Sequence, residues 1–121
     1  MILVDAANVV GSKPNGWWKD RPGAARKLVE RIQRAAAAGD LARPVVIVLE
    51  GAARQGFDEG SYDDVRVVHA KGEGDDTLAD VAAAADEPVT LVSADRGLRD
   101  RVTQVGAQSV GPSWLYDRLP D

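Results

Sequence analysis

Val89-Thr90-Leu91-Val92-Ser93-Ala94-Asp95-Arg96-Gly97-Leu98 is an apolar run that breaks into a short polar turn and delivers a carboxylate. Its β-branched residues read as a buried strand. The same pattern recurs twice. Ile2-Leu3-Val4 ends in Asp5, with Asn8 three residues on, and Val65-Arg66-Val67-Val68-His69-Ala70 leads into Gly74-Asp75-Asp76. In an open parallel sheet the C-terminal ends of the strands lie along one edge, where acids remote in sequence converge. Converging carboxylates repel one another unless a positive charge sits among them. The natural one is a divalent cation with oxygen ligands.

Working outward, apolar runs predict strands at Met1–Val4, Val45–Leu49 (ending at Glu50-Gly51), Val65–His69, Val89–Val92 and Ser109-Val110. Asp5 to Asp20 reads as a long loop with an Asn15-Gly16 turn, and Ala52 to Tyr62 as a second loop of small and polar residues. Between them a helix is expected from Arg21 to Ala38, capped by Asp20, started by Pro22 and stopped by Gly39. Its Ala25, Leu28, Val29, Ile32, Ala35 and Ala36 follow helical spacing, while Lys27, Arg31 and Arg34 fall on the other side. A further helix is expected from Asp76 to about Ala85, with Asp75 or Asp76 as its cap and Leu78, Val81, Ala82 and Ala85 facing the core. Asp95 opens another, bearing Leu98, Val102 and Val105 and closed by Gly106. Pro112 to Leu119 is expected to add a terminal helical turn or two, with Trp114 and Leu115 inward. The alternation gives one domain spanning residues 1–121. Its class is α/β, a three-layer sandwich with a mostly parallel central sheet of about five strands.

Composition narrows the function. A chain of 121 residues can bury a real core, and it has no apolar stretch long enough to span a bilayer. Met1-Ile2-Leu3-Val4 runs straight into Asp5 with no basic start, so no signal peptide is expected and a cytoplasmic setting is. Cysteine is absent, which excludes thiolate sites, and His69 is the only histidine, which argues against a zinc cluster. The net charge of -4 is unevenly spread, with a basic excess up to Arg43 and an acidic excess beyond it. That asymmetry suits an acidic metal pocket beside a surface that holds a polyanion, and equally a solvated helix face. Net acidity argues against tight, non-specific nucleic-acid binding.

The strand ending in Asp5-Ala6-Ala7-Asn8, the acidic helix start at Asp75-Asp76, and Ser93-Ala94-Asp95-Arg96-Gly97-Leu98-Arg99-Asp100-Arg101-Val102 followed by Gly106-Ala107 form a set. It resembles the PIN-like nuclease superfamily, specifically the YacP-type domains of its NYN branch, over nearly the whole chain. The resemblance implies a metal-dependent ribonuclease using Mg²⁺ or Mn²⁺ held by three or four acids. By position, Asp5 and Asn8 match the first-strand motif, Asp76 or its neighbour Asp75 the acid at the central helix start, and Asp95 the acid after the fourth strand. The branch usually has Gly after the first Asp, where this chain has Ala6, and Ala narrows close backbone approach. For a fourth acid the candidates are Asp80, one turn after Asp76 on the same helix face, and behind it Asp100 and Glu50.

The chemistry wants these residue types. Phosphodiester hydrolysis needs charge neutralised on the phosphoryl oxygens and a water made nucleophilic, and a carboxylate-held Mg²⁺ does both. Asn8 can orient a water or phosphate oxygen without adding charge, and Ser93 can hold a ligand carboxylate. Lys13, Lys19, Arg21, Arg96 and Arg99 are candidate phosphate contacts. Trp17 and Trp18, standing among cations, suit base stacking on single-stranded RNA, or serve as a loop anchor or homodimer contact. The rival readings are a non-catalytic RNA-binding or protein-interaction module with a degenerate site, and a different α/β enzyme acting on nucleotides. The last is trimmed by the absence of a P-loop, and by Lys71-Gly72-Glu73-Gly74 lacking the third Gly of a dinucleotide fingerprint.

Overall fold

The apolar runs build the centre of a six-stranded sheet, described here from a computed structural model covering residues 1–121. The strands are β1 (Ile2–Asp5), β2 (Val45–Leu49), β3 (Gly60–Tyr62), β4 (Val65–His69), β5 (Thr90–Val92) and β6 (Gln108–Val110), in the order β3-β4-β2-β1-β5-β6. Every residue of β1 and β2 is buried, as their lack of polar alternation requires of strands covered on both faces. All pairings are parallel except that of β3 with β4 at one edge. The helices are α1 (Ala6–Gly11), α2 (Arg21–Ala37), α3 (Gly74–Ala84), α4 (Arg96–Thr103) and α5 (Pro112–Tyr116).

Two separate apolar cores make the three layers. On one face, Val4 and Ile47 of the sheet pack with Leu28, Val29 and Ile32 of α2 and with Leu115 of α5. On the other, Leu3, Val46 and Leu91 pack with Leu78 of α3 and with Leu98 and Val102 of α4. The odd and even residues of β1 thus serve opposite cores, as the two-residue period of a strand dictates. The buried face of α2 is the expected one, Ala25, Leu28, Val29, Ile32, Ala35 and Ala36. Asp20 caps that helix, its Oδ1 accepting the Gly23 N–H at 2.9 Å. No helix is long and apolar enough to cross a membrane.

Two expected loops are partly ordered elements. α1 begins directly after Asp5, which caps it, and a 3-10 turn forms at Trp17–Lys19. The span from Ala52 to Tyr62 is covered by a 3-10 turn at Gly51–Gly56 and by β3, which brings the strand count to six. β3 is a short edge strand without an apolar run, so nothing in its composition marks it. Gly56 meets the carbonyl of Pro22 so closely that any Cβ would collide with it, which seats this turn on the start of α2. Val105, expected in the core, lies beyond the end of α4 and is exposed.

Candidate functional site

The register of the sheet assembles the site. Val4 stands opposite Val92, so Asp5 and Ser93, one residue on in each strand, are neighbours at the strand ends. Ser93 is fully buried and donates its hydroxyl to Asp5 Oδ2 at 2.9 Å. The same Ser93 oxygen accepts the Asp95 N–H at 3.1 Å, so one hydroxyl ties the first acid to the turn that carries the second. Asp5 Oδ1 accepts the Asn8 N–H at 3.3 Å, which caps α1. Asn8 Oδ1 in turn accepts the Ala94 N–H at 2.8 Å. That bond fixes which way the amide points and leaves its NH2 as a free donor.

Asp5 is only 5% exposed. Burial pushes its carboxyl up to about 6, against the downward pull of the Ser93 and Asn8 hydrogen bonds, and the negative charges of Asp75 and Glu50 add to the rise. Asp75 is raised as well, first by desolvation and then by Asp95 and Glu50, with Arg101 opposing. Asp5, Glu50, Asp75 and Asp95 are therefore one electrostatic cluster at the C-terminal edge of the sheet. As the side chains stand, no three acidic groups meet closely enough to enclose a metal ion by themselves.

Glu50, only a secondary candidate from the sequence, has a definite place here. It follows β2 as Asp5 ends β1, and its Oε2 accepts the Gly74 N–H at 2.8 Å. α3 has no side-chain cap from the residues at its own start; neither Asp75 nor Asp76 performs that role, and Glu50, at the end of β2, does so instead. A Cβ at residue 74 would sit 3.0 Å from the Glu50 carboxyl carbon, so glycine there permits the approach.

Asp76 turns away from the cluster and pairs with Arg101 at 3.1 Å on an exposed surface. Asp80 and Asp100 are exposed and are not among the charges acting on Asp5 or Asp75. Asp95 caps α4, Oδ1 accepting the Leu98 N–H at 3.0 Å, so capping and membership of the acidic edge coexist in one residue. His69 is structural: its Nε2 donates to the Phe57 carbonyl at 2.8 Å.

The candidate phosphate-binding cations are spread over two regions. The Lys13 ammonium lies 4.6 Å from the centre of the Tyr116 ring, and the Arg21 guanidinium 5.3 Å from that of Trp17. Lys19 is exposed beside Trp18, which is 55% exposed. Arg96 is exposed in the first turn of α4, and Arg99 follows one turn later with its Nε buried and unpartnered.

No protein-family model and no curated protein matches this sequence. The three-dimensional arrangement does match. The crystal structure of Rae1 (YacP) from Bacillus subtilis superimposes with a TM-score of 0.76, covering 97% of this chain and 71% of that one at 16% identity. The fold is YacP-like. A single-substitution variant of the same Bacillus subtilis protein gives a TM-score of 0.68, covering 96% of this chain and 71% of that one, again at 16% identity. At that identity the shared property is the YacP-like frame, and the chemistry rests on the residues described above.

Proposed function

We propose that this chain is a metal-dependent ribonuclease of the PIN-like, NYN type, hydrolysing RNA phosphodiester bonds at the edge formed by Asp5, Glu50, Asp75 and Asp95. The observation that carries the reading is Asp5: a buried carboxylate, raised to about 6, facing two further acids. Such an arrangement costs stability and is characteristic of functional sites. The donors fit Mg²⁺ or Mn²⁺, since all are carboxylate oxygens and their mutual repulsion is the field a divalent cation relieves. Mg²⁺ in particular is commonly held by one or two carboxylates and otherwise by water, so it needs no closed protein cage. When bound, the ion neutralises charge on the phosphoryl oxygens and lowers the pKa of a water.

The chain's own groups do the remainder. Ser93 orients Asp5 and spaces it from Asp95. Asn8, with its oxygen held by Ala94, offers its NH2 to a phosphate oxygen. Arg96, Arg99, Lys13, Lys19 and Arg21 supply cations for the backbone of a single strand. The second reading, an RNA-binding module with a degenerate site, is favoured by one observation: no three acids converge closely enough to enclose an ion.

Calorimetric titration with Mn²⁺ separates the two. A nuclease takes up Mn²⁺, and Asp5→Asn weakens that uptake at least tenfold. A binding module retains RNA equally in Mn²⁺ and in EDTA and takes up no metal.

A further inference from the structure

A cleft of about 340 Å³ opens beside the acidic edge and shares Glu50 with it. Ala6, Ala7 and Val10 of α1 contribute an apolar lining. Trp17 adds an aromatic wall, half-buried rather than sunk in the core, with the Arg21 guanidinium over its ring. Glu73 joins Glu50 in the lining. The volume lies at the small end of the range for pockets that take small organic groups, roughly 300–1,000 Å³.

We propose that this cleft takes one unpaired guanine-type base of an RNA strand, with Trp17 as its stacking face and Glu73 as the reader of its edge. The inference rests on the ribonuclease reading of the neighbouring acids, and it adds a specificity to that reading. An unpaired base has a flat apolar face, which stacks on an aromatic ring whatever its identity. Discrimination must then come from the polar groups of the cleft. Ionised carboxylates only accept hydrogen bonds. Glu50 is engaged with the Gly74 N–H, whereas Glu73 makes no capping bond to the helix it precedes and is exposed. Guanine presents two adjacent donors, N1–H and the N2 amino group, that match the two oxygens of a carboxylate. Adenine and cytosine offer one amino group beside an acceptor nitrogen. Uracil offers a single N–H flanked by two carbonyl oxygens, which a carboxylate repels. The expected order is guanine, then adenine and cytosine, then uracil. Charge is complementary beside Trp17 as well, where Arg21 suits the phosphate that follows the base. Because Glu50 belongs to both cleft and edge, the selected base would lie close to the phosphate presented to the acids.

The test is fluorescence anisotropy with labelled oligouridylates, either all-U or carrying a single G, A or C, added to Asp5→Asn protein in EDTA so that no strand is cut. The single-G strand should bind about tenfold more tightly than all-U. Glu73→Gln should remove that preference, bringing the single-G and all-U affinities within about twofold of each other. Trp17→Leu should weaken the single-G strand about tenfold. Equal affinity for all four strands, a G preference that survives Glu73→Gln, or no binding at all would overturn the assignment. Glu73 is exposed, so its substitution tests the cleft even if Trp17→Leu impairs folding. If wild-type protein fails to cut RNA in Mn²⁺ while the Glu73-dependent preference holds, the nuclease reading falls and the cleft stands. Cutting with no such preference has the opposite meaning.

Discussion

Asp5 is the buried carboxyl on which the proposed chemistry rests. Its folded-state value of about 6 lies above the ordinary 3.8, so the folded protein favours the protonated form. The stability this confers, about 3 kcal/mol relative to the ionised group, is fully present below pH 3.8 and is lost as pH rises through 6. Asp5→Asn keeps the acceptor for the Asn8 N–H and removes the charge. By scanning calorimetry the substitution should raise Tm by roughly 5–10 °C at pH 8 and by almost nothing near pH 4. An equal gain at both pH values would contradict burial and like charge as the cause. Asp5, Ser93 and Asp95 were legible because each ends or follows a run of buried aliphatic residues. Glu50 follows Val45–Leu49 by the same rule, but its role depends on a contact with Gly74 across the sheet that no local pattern encodes.

Among the elements, the start of α3 is where adjacent residues part company. Successive helical positions differ by about 100°, so Asp75 and Asp76 cannot face the same way. In the sequence the two are interchangeable, because only packing against β1, β2 and α4 decides which one faces the cluster. Asp75 feels Asp95 and Glu50, while Asp76 pairs with Arg101 in solvent. RNA-cleavage rates should therefore fall about 100-fold or more for Asp75→Ala. Asp76→Ala should stay within about threefold of wild type, with less than about 1 kcal/mol lost in urea unfolding for an exposed pair. Equal losses from the two variants would place both acids in the site. α1 escaped detection for a related reason. Its six residues are too few to display a helical period, and what makes them helical is the Asp5 cap together with burial of Ala6 and Val9.

For the whole molecule, topology turns scattered acids into one site. β1 lies between β2 and β5, all three parallel, so Asp5, Glu50 and Asp95 leave the sheet at the same edge, and α3 brings Asp75 back over it. This much followed from buried parallel strands alone. The aromatic cleft did not, because it needs Trp17 and the Gly51–Gly56 turn, 30 and more residues apart, to line one cavity with α1. The uneven charge now has a geometry too: the acidic edge borders a cleft whose Arg21 belongs to the basic first part of the chain. The most direct measurement is cleavage of a mixed-sequence single-stranded RNA by wild type and Asp5→Asn in Mn²⁺, in Mg²⁺ and in EDTA. Cutting by wild type that requires the metal and disappears with Asp5→Asn is the predicted result. Cutting that persists in EDTA or in Asp5→Asn, or no cutting by folded protein shown to hold Mn²⁺, would contradict a carboxylate-held nuclease site at this edge.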